Sequence, residues 1–176
     1  MHKKIIIDDD FLSKDSKNYI DTFILGDSFP FYINPNSVGK DGHMFLYHVA
    51  VKRHEARGPK EHNFSSSEGM NLINLLNDFI EKNKISCGRI LRCAVNLSFN
   101  NGYKRTLSHK DHDIDHKVLI IYCNDVLNTP TVIEENDKII KKVEAKKYRG
   151  LYFENYTHYM VYPKEKHRVV VVYTFK

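Results

Sequence analysis

The sequence predicts an α+β fold in which a partly helical first half supports a strand-rich second half. Three observations carry this. Ser65-Ser66-Ser67-Glu68 has the form of a capping box, and Leu72, Leu76, Phe79 and Ile80 follow at helical spacing. After Gly88 the pattern changes to period two and stays there. Residues 118–123, Val-Leu-Ile-Ile-Tyr-Cys, form an unbroken apolar run, as in a strand buried on both faces.

Taken in order, Lys4-Ile5-Ile6-Ile7 reads as a short strand. A helix starts at Ser13, a natural N-cap, with Tyr19, Ile20 and Phe23 on its apolar side. Residues 30–33 and 44–51 are strand-like, separated by a turn-rich piece from Asn34 to Gly42. The capping box then predicts a helix over about Ser66–Lys84, packed on a sheet. In the next strand Leu91, Cys93, Val95, Leu97 and Phe99 point one way and Arg92, Ala94, Asn96 and Ser98 the other. Further strands are expected at 131–133, 138–143, 150–153 and 169–175. So many strands in the second half suggest two facing sheets or a squashed barrel, as in jelly rolls and cupins. No repeat or low-complexity linker interrupts the 176 residues, so one domain is expected over 1–176.

Composition narrows the class. A hydrophobic fraction of 41% and an aromatic fraction of 12% are enough for a packed core and exclude a disordered chain. No apolar run reaches the roughly 18 residues of a membrane span. The N-terminal apolar stretch is only Ile5-Ile6-Ile7, followed by three aspartates, which is not a signal peptide. Cys87, Cys93 and Cys123 contain no C-x-x-C pair and are odd in number, which points to free thiols in a reducing, cytoplasmic setting. The net charge of +5 is modest, and no aromatic–basic stripe accompanies it, so nucleic acid is not an expected partner. The lysines between 138 and 147 read as a solvated strand face and turn.

The chemistry is carried by four residues. His109 and Asp111 form an H-x-D pair, His158 follows 47 residues later, and Arg168 heads the run Arg-Val-Val-Val-Val-Tyr. On a strand, residues i and i+2 share a side, so His109 and Asp111 can face one metal, with His158 supplied by a neighbouring strand. Two imidazoles and one carboxylate leave open positions on the ion, the facial arrangement of non-haem Fe(II) sites. An arginine nearby offers a planar fork to a carboxylate. His112, Asp113 and His116 compete as ligands by composition; only His109 and Asp111 have the H-x-D form, which leaves His112 behind the site or in solvent. His43, His48, His54 and His62 fit no ligand spacing. Arg92 and Asn96 would contact substrate if their strand face lines a cavity, and Val170 and Val172 share the face of Arg168. Tyr103-Lys104-Arg105 is a loop placed to clamp a ligand, and the charged residues 52–60 suggest a lid.

With these residues in hand, the chain resembles the 2-oxoglutarate and Fe(II)-dependent dioxygenases, nearest their prolyl-hydroxylase-like branch. The likeness runs through residues 90–176, in His109-Lys110-Asp111, the segment 116–125, Gly150-Leu151-Tyr152-Phe153, His158 and residues 168–175. It implies a double-stranded β-helix core over 89–176, with 1–88 as supporting strands and helices. It implies that His109, Asp111 and His158 hold Fe(II), and that Arg168 pairs with the distal carboxylate of 2-oxoglutarate. Tyr122, in the Tyr-x-Asn segment Tyr122-Cys123-Asn124, would bond the same carboxylate. The activity implied is hydroxylation of a C–H bond with O2, giving succinate and CO2, with ascorbate as an accessory reductant. The implied substrate is a prolyl or other side chain of a protein or peptide, with a small molecule the other candidate. Ser108 stands where many relatives have proline, and 127–131 lacks the usual glycine turn. The alternative reading is a non-catalytic cupin-like metal- or ligand-binding module, which has no need of Arg168.

Overall fold

The computed structural model describes residues 3–53 and 64–176. The chain order is β1 (Ile5–Asp8), α1 (Lys14–Tyr19), a π-helical turn (Ile20–Ile24), β2 (Tyr32–Asn34), β3 (Phe45–Val51) and α2 (Gly69–Asn83). Then come β4 (Ile90–Ser98), β5 (Lys117–Tyr122), β6 (Val126–Glu135), β7 (Lys138–Ala145), β8 (Gly150–Glu154), β9 (Thr157–Met160) and β10 (Arg168–Phe175). All the pairings are antiparallel. They build a seven-stranded sheet in the order β1-β8-β5-β10-β4-β3-β2 and a three-stranded sheet in the order β7-β6-β9.

The seven-stranded sheet is covered on both faces, which explains its composition. On one face Cys93, Val95, Leu119, Ile121, Val171, Tyr173 and Phe175 pack with Ile20 and Ile24 and with Leu72, Leu75, Leu76 and Phe79 of α2. On the other face Val118, Ile120, Val170, Val172, Leu151 and Phe153 meet Val126, Ile133, Val143 and Ala145 of the small sheet. β10 therefore buries all of its residues, with alternate side chains entering the two cores. The exposed face of β7 carries the lysines read as a solvated strand.

Local signals worked to different degrees. Ser13 caps α1 as its residue type predicts, its Oγ accepting the Ser16 N–H at 3.2 Å. The capping box ahead of α2 does not form, and the helix starts at Gly69 rather than Ser66. Its members are engaged elsewhere. Ser65 Oγ donates to the Val49 carbonyl at 3.0 Å, while the next residue, Ser66, contacts His48 Nε2 through its Oγ at 2.7 Å and accepts the Glu68 N–H at 3.1 Å. The Glu68 carboxylate accepts from the Tyr19 hydroxyl at 2.9 Å. Cys93 and Cys123 are buried free thiols, and Cys87 is free but half-buried. Among the described residues, no helix is long and apolar enough to cross a membrane. The lid expected at 52–60 lies, from residue 54 onward, outside the described residues, as do His54 and His62.

Candidate metal centre and its cavity

The triad is assembled by a bridge rather than by a shared strand. His109 lies in the irregular stretch between β4 and β5, where it forms an isolated antiparallel bridge with His158 of β9. The His109 N–H donates to the His158 carbonyl at 3.0 Å, and the His158 N–H donates back at 2.9 Å. The two imidazoles consequently sit side by side, with ring centroids 4.6 Å apart. Asp111 is on a bend, not on a continuing strand as the H-x-D spacing suggested. The stretch is held instead by one side-chain contact to its own backbone and by contacts to other elements. The His109 Nδ1 contacts the Leu107 carbonyl at 3.0 Å, and Ser108 Oγ donates to Glu134 at 2.7 Å. Arg53 then fixes Asp111, donating to its carbonyl and, at 3.3 Å, to Oδ1.

Three candidate ligand atoms from His109, Asp111 and His158 lie within 4.8 Å of one another. Asp111 Oδ2 is 3.6 Å from His158 Nε2, is buried, and has no hydrogen-bond partner. A buried carboxylate oxygen without a donor is costly unless a cation completes it. The tautomer also suits a metal. The Leu107 carbonyl demands the proton on His109 Nδ1, which leaves Nε2 as a free lone pair. Burial lowers the His158 pKa to about 4, against the pull of Asp111, so the ring is neutral at physiological pH. Burial alone would raise the Asp111 carboxyl, but His158, His109, Arg92 and Arg53 outweigh it and hold the group well below the usual carboxylate range. Neutral imidazoles and an ionised carboxylate are the protonation states that metal ligation requires.

The triad opens into a cavity of about 100 Å³. Arg168 stands at one end, only 2% exposed. Its guanidinium donates to Thr131 Oγ1 at 2.9 Å and contacts Met160 Sδ at 2.8 Å, while its Nε has no partner. Among the described residues, no carboxylate forms an ion pair with it. A buried guanidinium without an anion is an incomplete site. Tyr122 is fully buried and does not line the cavity. Its ring lies under the Arg168 guanidinium, 5.2 Å away, and its hydroxyl donates to Thr131 Oγ1 at 2.7 Å.

Arg92 and Asn96 do line the cavity, together with Val170 and Val172, so the polar face of β4 is an inner wall and not a solvent face. Tyr103-Lys104-Arg105 does not reach the cavity. The Tyr103 ring stacks on His43 at 3.6 Å, and the Arg105 guanidinium lies over the Tyr159 ring at 4.3 Å. His48 is a satisfied core histidine, and His112 is buried against Thr174 Oγ1 at 2.7 Å. Thr131, Met160, Thr106 and Arg53 also line it. A sequence reading passes over Thr131, Met160 and Thr106, which belong to different elements with no spacing to connect them, and takes Arg53 only as part of the charged stretch 52–60.

No family model matches the sequence, and no curated protein matches it. Solved structures do. A 2OG-Fe(II) oxygenase family oxidoreductase from Burkholderia pseudomallei superposes with a TM-score of 0.76 at 13% identity, over 98% of this chain and 84% of the other. A prolyl hydroxylase from Trichoplax adhaerens, in complex with a hypoxia inducible factor oxygen degradation domain peptide fragment, has a TM-score of 0.65 at 14% identity, over 97% and 82% of the two chains. The non-heme alpha ketoglutarate dependent epimerase SnoN from nogalamycin biosynthesis has a TM-score of 0.63 at 9% identity, over 98% and 76%. The chain therefore has the fold of the 2OG-Fe(II) oxygenases.

Proposed function

We propose that this protein is an Fe(II)- and 2-oxoglutarate-dependent dioxygenase that hydroxylates a C–H bond and releases succinate and CO2. One observation supports this above the rest: a His-Asp-His group and a buried guanidinium that has no counter-ion among the described residues share one cavity. Either feature alone has other uses; together they match one chelating dicarboxylate. The two facing sheets are read as a double-stranded β-helix formed by residues 89–176, within one domain over 1–176. Three free cysteines support a cytoplasmic setting.

His109 Nε2, an oxygen of Asp111 and a nitrogen of His158 would hold the ion. When bound, Fe(II) and 2-oxoglutarate together supply the activation of O2, with ascorbate serving to keep the metal reduced. The protein's share is positioning and exclusion of water. Arg168 pairs with the distal carboxylate of 2-oxoglutarate, in a setting where no carboxylate of the described residues competes. Thr131 accepts from both Arg168 and Tyr122, so its own proton is free to donate into the cavity toward the same carboxylate. Tyr122 contributes from behind, by fixing Thr131 and stacking under Arg168. An aspartate at 111 keeps a carboxylate on the ion, which favours hydroxylation. The prolyl or other side chain of a protein or peptide remains our reading of the substrate, with a small molecule as the other candidate.

The test is succinate release from 2-oxoglutarate by Fe(II)-loaded protein under air, in wild type, Asp111→Ala and Arg168→Gln. Turnover above background that both variants abolish or cut at least tenfold supports the proposal. Stoichiometric metal binding with no turnover and no 2-oxoglutarate binding would favour the cupin-like binding module.

A further inference from the structure

The cavity is cationic beyond what the co-substrate accounts for. Among the described residues it is lined by three guanidinium groups, Arg53, Arg92 and Arg168, against the single carboxylate of Asp111. Arg168 takes one end of 2-oxoglutarate on the reading above, on which this inference rests. That leaves Arg53 and Arg92, and they lie on the other side of the triad.

The strand register separates the two ends. On β10 and β4, Arg168 is opposite Ser98, whereas Arg92 is opposite Thr174. Six residues of strand correspond to roughly 20 Å between backbone positions. The contacts run in one line between them. Arg168 touches Met160, and Met160 lies two residues beyond His158 on β9. His158 Nε2 faces Asp111 Oδ2, and Asp111 Oδ1 faces Arg53 at 3.3 Å and Arg92 at 3.7 Å. The two oxygens of Asp111 thus look in opposite directions, one toward the triad and one toward the arginine pair.

One carboxylate oxygen does not satisfy two guanidinium groups. Arg53 already makes its hydrogen bonds to the Asp111 carbonyl and Oδ1. The 3.7 Å between Arg92 and Oδ1 is beyond hydrogen-bond length, and the Arg92 side chain is only 12% exposed. Among the described residues this desolvated cation has one distant carboxylate partner, which calls for a second anion. Asn96, four residues further along the same inner face of β4 and so between Arg92 and the Arg168 end, adds a buried Oδ1 without a hydrogen-bond partner among the described residues.

We propose that Arg92 and Arg53 bind a carboxylate of the substrate that is oxidised, so the substrate class is a carboxylic acid presented beside the metal. A carboxylate fits better than a phosphate. It brings two coplanar oxygens and one charge to forks of which one is already partly committed, whereas a phosphate brings three oxygens and nearly two charges. The Asn96 side chain would accept from a neighbouring donor on the same substrate.

The test uses Mn(II) in place of iron and saturating N-oxalylglycine in place of 2-oxoglutarate. Methyl-proton relaxation of acetate, and of neutral acetamide as its matched control, reports which probe reaches the metal's surroundings. Inorganic phosphate is followed by its phosphorus relaxation. We expect acetate relaxation to be enhanced and acetamide relaxation not, with the apparent acetate affinity about tenfold or more weaker in Arg92→Gln and in Arg53→Gln, since hydrogen bonds to charged groups carry that order of free energy. Electron paramagnetic resonance of Mn(II) checks that each variant keeps its metal; Arg53, the more exposed of the two, guards against a folding defect in the other. Equal enhancement for acetate and acetamide, preference for phosphate, or acetate binding unchanged in both variants would overturn the proposal. So would loss of Mn(II) in both variants with acetate affinity restored at saturating Mn(II), because the arginines would then only orient Asp111. N-oxalylglycine binding, measured separately in wild type and Arg168→Gln, tests the co-substrate site. Its failure would sink that reading while acetate titration of the Mn(II) protein alone still decides this one.

Discussion

Replacing Thr131 with valine is the sharpest perturbation of the anchor behind the cavity. The side chains have nearly the same shape, so packing changes little, but the residue is only 1% exposed and its hydroxyl serves two donors. Thr131→Val strands the Tyr122 hydroxyl, whose other acceptor is the Val143 carbonyl at a marginal 3.5 Å, and one N–H of Arg168. Each buried unsatisfied donor costs about 1–3 kcal/mol, so the two together give about 2–6 kcal/mol, with the lower half expected because the Val143 carbonyl can partly take over Tyr122. Tyr122→Phe removes one donor and leaves Thr131 with Arg168, for a loss of about 1 kcal/mol. Because phenylalanine has no hydroxyl to strand, Thr131→Val should cost about 1–2 kcal/mol less in the Tyr122→Phe background. Urea unfolding of the four proteins measures the cycle, and each kcal/mol should move Tm by about 2–4 °C in a chain of this size. Additive losses, or a Thr131→Val cost below about 0.5 kcal/mol, would refute the buried hydrogen-bond chain from Tyr122 through Thr131 to Arg168.

Three further outcomes are expected. Gly150→Ala should cost about 1–3 kcal/mol by urea unfolding, because a Cβ there would meet Phe11 and Phe79 ring carbons at 2.8 Å. Hydrogen bonds from Arg149 hold the Asp9 pKa at about 2, below its usual value of 3.8. A depressed carboxylate stabilises the fold above its unfolded pKa, and that stability is lost as pH falls toward 2. Since Asp9 is 35% exposed, Asp9→Asn should cost only about 1 kcal/mol at pH 7 and nothing near pH 2, as measured by unfolding across that range. His158→Ala should abolish stoichiometric metal binding in equilibrium dialysis, whereas Arg168→Gln should retain it.

The core was legible because its periodicities are strong. The alternation from Leu91 to Ser98 located both faces of β4, and the apolar run at 118–123 announced a strand covered twice. His109, Asp111 and His158 were visible as residue types at a suggestive spacing, and the structure brings them together. The means of assembly was not visible, since an isolated bridge and an arginine clamp from Arg53 leave no periodic trace. Helix α2 began late because tertiary contacts with the Val49 carbonyl and Tyr19 claimed the capping residues Ser65 and Glu68. Tyr122 was placed at the ligand by resemblance; it lies one layer behind, and Thr131 occupies the wall. Strand pairing between β6 and β9 puts Thr131 opposite Met160, a relation that only the folded register defines.

The most direct test of the central claim is anaerobic titration of 2-oxoglutarate into Fe(II)-loaded protein, followed by the weak visible metal-to-ligand charge-transfer band. The account predicts a saturable band in wild type, none in His158→Ala, and one that needs far more 2-oxoglutarate in Arg168→Gln. Folded, iron-loaded wild type without a band, or an Arg168→Gln titration identical to wild type, would contradict it.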